Sequence, residues 1–158
     1  RGAADARNHH RRCRRSLPHR LRQAMPARKA GHQIAQKGIA GARAVLAGER
    51  PLRIAVSRTR PPAVIGRLAG RDDVELVPMG SNGVKVIAVV EGTVDAYVHA
   101  GGQYEWDSEA PVAVARAAGL HCSRIDGSPM VYNQANTLLP DLVICRPELA
   151  EGVLAALA

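Results

Sequence analysis

The chain has 158 residues, enough for one ordinary domain, and its 46% hydrophobic content is sufficient to form a core. Aromatic residues are scarce, with one Trp, three Tyr and no Phe, so we expect an aliphatic core. No apolar run is long enough to span a membrane, and the basic start lacks the apolar segment of a secretory signal. The three Cys residues are far apart and suggest no disulfide framework. Together these features predict a protein of the reducing cytoplasm.

The net charge of +8 conceals two regions of different composition. Residues 1–50 contain 13 Lys and Arg against 2 Asp and Glu, whereas residues 51–158 contain 9 against 12. The first region is rich in Arg and Ala, and it buries too little apolar surface to offset the entropy of ordering it. We therefore predict a basic, disordered arm over residues 1–50, in which one short helix over about 33–47 is the main alternative, and a folded region over residues 51–158.

Three interpretations of this arm stay open. Its Lys and Arg residues are suited to non-specific contact with nucleic acid, since they neutralise phosphates, but no interleaved aromatic residue would stack on bases. A basic tail without function is the simpler interpretation. The third is that this Arg- and Ala-rich sequence comes from a GC-rich gene read out of frame.

From Pro51 onward the pattern is typical of an α/β protein. The predicted elements are, in chain order, a strand at 52–57, a helix at 61–69, a strand at 74–79, a helix at 85–91, a strand at 94–100 that ends at two glycines, a helix at 107–118, strands at 121–125 and 142–145, and a helix at 147–157. Strands that alternate with helices indicate a mostly parallel sheet flanked by helices. Ligands of such sheets lie at the carboxyl ends of strands. This rule selects residues 57–58, 80–81 and 99–107.

Asp107 stands at the start of a predicted helix and has two interpretations. A carboxylate there caps free backbone amides and is favoured by the helix dipole. It is also a ligand for a hard cation such as Mg²⁺. On this position alone the cap is favoured, in which case Trp106 fills the core at the turn and Glu105 is solvated.

Cationic and small polar residues follow the other two strands. Gly80 and Ser81 precede a helix, whose bare amides suit an anion, and Lys85 lies in the first turn of that helix. Arg58 follows a strand, where a guanidinium can reach a phosphate. Each also has an ordinary interpretation, as a turn, a snorkelling Lys or a solvated Arg.

Taken together, these residues resemble the inositol monophosphatase superfamily. Its C-terminal signature is matched by Gly80-Ser81, Lys85, the run 91–97, Glu105-Trp106-Asp107 and the Ala-Gly pair at 118–119. The stretches 99–107 and 124–129 are similar to the CysQ branch, and to its actinobacterial members in particular. The resemblance covers about residues 51–158.

The resemblance implies the C-terminal layer of the inositol-monophosphatase-like fold and a Mg²⁺-dependent phosphatase. It implies that Asp107 binds the metal ion and helps orient the attacking water. For the CysQ branch it implies hydrolysis of the 3′-phosphate of 3′-phosphoadenosine 5′-phosphate or its sulfated form. Inositol 1-phosphate and fructose 1,6-bisphosphate are the alternative substrates, and a basic nucleic-acid-binding protein is the alternative from another class. The expected substrate-binding residues are Ser57, Arg58, Gly80, Ser81, Lys85 and His99.

Two motifs that hold most of the metal ligands in this family are a Glu-Glu pair and Asp-Pro-Leu-Asp-Gly-Thr, and neither occurs in the sequence. Asp107 alone does not hold a tight Mg²⁺ site, because Mg²⁺ keeps most of its waters when few ligands are offered. We therefore expect a fragment that is inactive or nearly so by itself. Its exposed layer is expected to promote association or aggregation of copies.

Overall fold

The structure, a computed structural model, describes residues 25–59 and 61–158, with side chains from residue 31 onward. The disorder predicted for residues 1–24 lies outside this part of the chain. The packing reported below is that of the compact unit Ile34–Ala158. None of the helices in the described part combines the length and apolar character that a bilayer-spanning segment requires.

Four helices and five strands form the regular structure of the described residues. They are α1 (Met25–Leu46), β1 (Leu52–Ser57), β2 (Val74–Met79), α2 (Asn82–Val90), β3 (Ala96–Tyr104), α3 (Glu105–Ala117), β4 (His121–Ser123), β5 (Leu138–Cys145) and α4 (Ala150–Leu157), with 3₁₀ turns at Ala63–Arg67 and Pro147–Leu149. The helix predicted over 61–69 is only the first of these 3₁₀ turns.

The five strands form one sheet in the order β2-β1-β3-β5-β4. β1 is parallel to both of its neighbours, β2 and β3, whereas β5 is antiparallel to both β3 and β4. The α/β prediction is confirmed, but the sheet is mixed, because β5 returns between two strands that point the other way. The carboxyl ends of β1, β2 and β3 therefore lie at one edge of the sheet, which is where the sequence predicts the ligand site.

Strand residues alternate between two hydrophobic clusters, one on each face of the sheet. Ala55 and Tyr97 point into the cluster formed with α2 and α3, whereas Ile54 and Val98 point into the cluster formed with α1, α4 and the 3₁₀ turns. The molecule thus has helices on both faces, and α2 and α3 share a face. As expected, the core is mainly aliphatic, since Tyr97 is its one buried aromatic ring among the described residues.

α1 occupies much of the segment that the sequence assigned to a disordered arm. The short helix considered for 33–47 is present, but it begins earlier, at Met25. Its residue Ala42 is fully buried in the core. Gly38 and Gly41 lie one turn apart, and a Cβ at either position would collide with the guanidinium of Arg146 or Arg50 respectively. Small residues on one side of α1 therefore allow it to approach the arginines of the folded core.

β3 does not end at Gly101 and Gly102, which corrects the prediction for 94–100. Both glycines have positive φ, of 83° and 71°, and they form an irregularity in the pairing of β3 with β5. Pairing resumes at Gln103 and Tyr104. A glycine-based bulge lets the strand change direction without terminating. Because β3 then runs directly into α3, the loop predicted over 99–107 is strand and helix.

Asp95, just before β3, is the centre of a paired ionic cluster. Its carboxylate accepts hydrogen bonds from Nη1 and Nη2 of Arg50, at 2.7 and 2.8 Å, and from the backbone N–H of Arg53, at 3.0 Å. Burial opposes ionisation, but these hydrogen bonds and the two arginine charges outweigh it, so the pKa of Asp95 is lowered. The cluster fastens the segment after α1 to the start of β3.

Candidate functional site

The candidate site begins where β1 and β2 end side by side. Ser57 pairs with Met79 in the last position of the two strands. The backbone N–H of Arg58 donates to the carbonyl of Met79, at 3.2 Å. A Cβ on Gly80 would lie 3.3 Å from Nη2 of Arg58, so the absence of a side chain leaves space for the guanidinium. The sequence prediction placed these residues at one edge, and the structure brings them together.

Ser81 precedes α2 in an unusual backbone conformation. Its φ is 48°, and its hydroxyl does not cap the helix. Its carbonyl instead accepts a hydrogen bond from the N–H of Lys85, at 3.4 Å. The amides in the first turn of α2 therefore receive no side-chain cap from Ser81, which is the arrangement that suits a bound anion.

Lys85 is buried at the start of α2, with only 5% of its surface exposed. Its ammonium donates to the carbonyl of Ser81, at 3.0 Å, and lies 5.0 Å from the centre of the Tyr97 ring. Burial lowers the pKa of Lys85. It neither snorkels to water nor pairs with a carboxylate, so its positive charge is held at the helix N-terminus without a matching anion in the described residues.

His99 lies on β3 beside this lysine. Burial lowers its pKa first, and the charge of Lys85 lowers it further, against opposing effects of the Gly101 backbone and of the carboxylates of Asp107 and Asp141. Its Nε2 is buried and has no hydrogen-bond partner among the described residues. The imidazole is therefore kept neutral at pH 7, with one nitrogen available to a ligand.

Asp107 lies in the first turn of α3, which begins two residues earlier than predicted, at Glu105. Oδ2 of Asp107 accepts a hydrogen bond from the N–H of Tyr104, at 3.0 Å. The prediction that Asp107 caps this helix is confirmed. The Asp107 carbonyl accepts from Nδ2 of Asn82, at 2.7 Å. This contact joins the N-terminal ends of α2 and α3, and the Asp107 side chain is exposed there.

Glu105 and Trp106 differ from their sequence interpretations. Glu105 is buried rather than solvated, and its two carboxylate oxygens accept from the N–H groups of Asn133 and Gln134, at 2.8 and 3.1 Å. Trp106 does not fill the core. It is 64% exposed and stacks on Tyr104, with ring centres 4.7 Å apart. The sequence did not reveal that Glu105 binds these two N–H groups, because they belong to a loop far along the chain.

A resident Mg²⁺ ion needs several oxygen ligands, and this edge offers few. Within residues 31–59 and 61–158, no three His, Cys, Asp or Glu side chains are grouped closely enough to hold a metal ion. Asp107 has one carboxylate oxygen engaged by Tyr104. The described residues alone therefore do not fit a complete Mg²⁺ site, although Asp107 is suited to be one ligand of a larger set.

Residues 24–158 match the inositol monophosphatase family. The chain belongs to this family. The match begins inside the segment that composition assigned to an arm, so part of that segment is matched together with the folded region.

Two curated mycobacterial relatives are similar to the chain, and both are named 3′-phosphoadenosine 5′-phosphate phosphatase. The one from Mycobacterium bovis is 57% identical over 107 residues, which are 68% of this chain and 40% of the relative. The one from Mycobacterium leprae is 51% identical over 128 residues, 80% of this chain and 46% of the relative. The chain thus spans less than half the length of the curated relatives that it matches.

Two solved structures have the same fold over part of their length. CysQ from Bacteroides thetaiotaomicron aligns with a TM-score of 0.54 and 29% identity, over 61% of this chain and 37% of that one. A calcium-bound inositol monophosphatase family protein from Staphylococcus aureus aligns with a TM-score of 0.53 and 18% identity, over 68% of this chain and 40% of that one. At 18% identity, the similarity to the second structure is one of fold alone, and the calcium ion is a feature of that protein.

Proposed function

We propose that this chain is the C-terminal portion of a Mg²⁺-dependent phosphomonoesterase of CysQ type. Its proposed substrate is 3′-phosphoadenosine 5′-phosphate or the sulfated form, from which the 3′-phosphate is removed by water. The family match and the names of the mycobacterial relatives support this class of reaction. The observation that carries the proposal is the meeting of an uncapped helix N-terminus, two cations and one carboxylate at a single sheet edge.

The phosphate is proposed to bind between Arg58, Lys85 and the first turn of α2. The guanidinium next to Gly80 offers paired donors, and the buried ammonium of Lys85 is a charge that a dianion would match. The backbone amides after Ser81 add neutral donors and the positive end of the helix dipole. His99, kept neutral by burial, is proposed to donate to or accept from the substrate through Nε2.

Asp107 is the proposed catalytic carboxylate. Its exposed carboxylate at the start of α3 is proposed to bind a metal ion and orient water toward the phosphate, provided that other carboxylates complete the set. The described residues do not supply that set, so no catalytic step is assigned to this chain alone. We propose that the chain by itself binds phosphate esters weakly and hydrolyses them slowly or not at all.

A chimera tests this proposal directly. Residues 51–158 would replace the matched region of the Mycobacterium bovis relative, and phosphate release from 3′-phosphoadenosine 5′-phosphate would be measured with Mg²⁺. We expect turnover comparable to that of the relative, no measurable turnover by the 158-residue chain, and a loss of about 100-fold or more in Asp107→Ala, the size seen when a preorganised catalytic group is removed.

Glu109→Ala is the matched control, because Glu109 is an exposed carboxylate on the same helix and has no proposed role. Inositol 1-phosphate and fructose 1,6-bisphosphate complete the substrate panel. A chimera that prefers either of these would contradict the nucleotide assignment. Full turnover by the isolated chain would contradict the proposal that it is incomplete.

A further inference from the structure

Lys85 lies on the side of α2 that faces the sheet, which is an unusual place for a lysine. Its neighbours on that side, Val86 and Val89, are 1% and 0% exposed. Long side chains of a helix point back toward its N-terminus. The ammonium of Lys85 therefore reaches the start of α2 from the interior, where it donates to the Ser81 carbonyl. Buried lysines are usually paired with a carboxylate, and within the described part of the chain this one is not.

The ammonium lies over the ring of Tyr97, which is 1% exposed on β3. Tyr97 belongs to the hydrophobic cluster that α2 and α3 cover. The distance of 5.0 Å from Nζ to the ring centre is within the limit of about 6 Å for attraction between a cation and the negative face of a ring. Burial raises the pKa of Tyr97, so the phenol is neutral. The attraction therefore comes from the ring and not from a phenolate.

These two partners hold the ammonium without neutralising it. The Ser81 carbonyl and the face of the Tyr97 ring are both neutral groups. A lysine ammonium has three N–H donors, and the Ser81 carbonyl accepts from one of them. A carboxylate in the place of the ring would cancel the charge and compete with an incoming anion. The ring instead fixes the position of a cation before a ligand arrives, which lowers the entropy cost of binding.

Tyr97 is also close to His99. The two rings are tilted by 52°, with their centres 6.4 Å apart. They are two residues apart on β3, so both side chains point to the same face of the sheet. Tyr97 thus adjoins two of the groups that are proposed to bind the substrate.

We propose that Tyr97 is a positioning residue for the phosphate site, whose ring face holds the Lys85 ammonium at the N-terminus of α2. This inference rests on the proposed function, because the anion expected at that N-terminus is the substrate phosphate. Tyr97 acts through Lys85 and is not proposed to touch the substrate. Its hydroxyl has no part in this role.

Binding of inorganic phosphate to the 158-residue chain, measured by calorimetric or NMR titration, tests the inference. Tyr97→Leu removes the ring, and we expect the dissociation constant to rise about fivefold or more, as for loss of a cation–π contact that is shielded from water. Tyr97→Phe keeps the ring and should bind phosphate within about twofold of the wild type. Incorporation of 3,5-difluorophenylalanine at position 97 keeps the ring but weakens its negative face, so the affinity should be intermediate.

A double-mutant cycle shows whether Tyr97 acts through the lysine. In a Lys85→Met background, Tyr97→Leu should leave the affinity for phosphate unchanged. Tyr132→Leu is the matched control, because Tyr132 packs against the same cluster but contacts Ser108. It should also bind phosphate as the wild type does. Circular dichroism checks that each variant is folded, and if Tyr97→Leu is not, the comparison between Tyr97→Phe and the fluorinated ring decides.

Equal affinities with phenylalanine, the fluorinated ring and leucine at position 97 would overturn the inference. So would an equal loss in the Lys85→Met background, or the absence of phosphate binding by the wild-type chain.

Turnover by the chimera separates this inference from the proposed function. Phosphate binding that weakens as expected, together with an inactive chimera, supports the role of Tyr97 and contradicts the enzymatic proposal. An active chimera whose KM is the same with and without Tyr97→Leu supports the enzymatic proposal and contradicts the role of Tyr97.

Discussion

The two ends of β3 each carry an aspartate, and the two surroundings are opposites. Asp95 at the start is 2% exposed and has Arg50 and Arg53 as partners. Asp107, beyond the other end, is exposed and has one backbone donor to its carboxylate among the described residues. On the neighbouring elements, Nζ of Lys85 and Nε2 of His99 have no carboxylate partner among the described residues.

This difference indicates which end is built for folding and which for ligand binding. At Asp95 the carboxylate is matched inside the chain, by the Arg50 guanidinium and the Arg53 N–H, so the cluster serves stability. Near Asp107, the Lys85 charge and the N-terminus of α2 have no anionic partner among the described residues, so a bound anion would match them. Unmatched polar groups cost free energy, and they are retained where a ligand or partner satisfies them.

The largest expected effect is on stability at Asp95. Asp95→Ala leaves Arg50 and Arg53 without their carboxylate, and breaking such a buried pair costs about 3 to 5 kcal/mol. Since Arg50 is partly exposed, the lower end of this range is expected. Urea unfolding of the wild type and the variant measures the difference.

Asp107→Ala is the matched comparison. It removes one capping hydrogen bond at an exposed helix start, which is worth about 1 kcal/mol. Equal losses of stability in the two variants would contradict the division between a folding end and a binding end.

The next largest loss of stability is expected on substitution of Glu105. Glu105→Gln keeps the size of the side chain but weakens the hydrogen bonds from the N–H groups of Asn133 and Gln134, and hydrogen bonds to a charged group contribute about 1.5 to 3 kcal/mol. We expect a loss of about 2 kcal/mol and faster hydrogen exchange at those two amides. Glu109→Gln, on the exposed side of α3, should change stability by less than about 0.5 kcal/mol. An unchanged exchange rate at residues 133 and 134 would show that Glu105 does not hold this loop.

The smallest expected effect is the pH dependence that His99 contributes. Its pKa in the folded state is below the ordinary value of about 6.5. The unfolded chain therefore binds the proton first, and the free energy of unfolding falls as the pH drops from about 6.5 through the folded pKa. His99→Gln should flatten this slope.

A scan of unfolding free energy between pH 7.5 and pH 5 tests this prediction, since the carboxylates with lowered pKa values, Asp95 and Asp141, titrate at lower pH. A slope that is the same in His99→Gln and the wild type would contradict it. Added inorganic phosphate should raise the pKa of His99 if the two bind side by side, because an adjacent anion favours the protonated ring.

The sequence was a good guide to the elements of the fold and a weaker guide to their ends. Alternating and continuous apolar runs predicted β1 and β2 within a residue, because a buried strand leaves a clear pattern. The direction of β5 was not predictable, since its pairing is decided by contacts with β3 that are distant in the chain. The sequence predicts a strand end at Gly101 and Gly102, because a bulge and a strand terminus have the same local signal.

The sequence predicted which residues belong to the candidate site, but it did not predict how buried or exposed their side chains are. Resemblance to the family supplied Arg58, Lys85 and Asp107 together, and the parallel strand ends explain why they meet. Burial of Glu105 and exposure of Trp106 were both missed. One depends on a distant loop, and the other reverses the usual rule that a lone tryptophan lies inside. The proposed roles of the site residues stay predictions.

The surface position of Trp106 gives the protein a built-in optical reporter. It is the only tryptophan in the chain, so all indole emission comes from this one exposed ring beside Asp107. Emission from an indole in water is red-shifted, and covering the ring moves it to the blue. Any molecule that binds over the start of α3 therefore registers in the native spectrum without a label, and a ligand confined to the opposite face of the sheet does not.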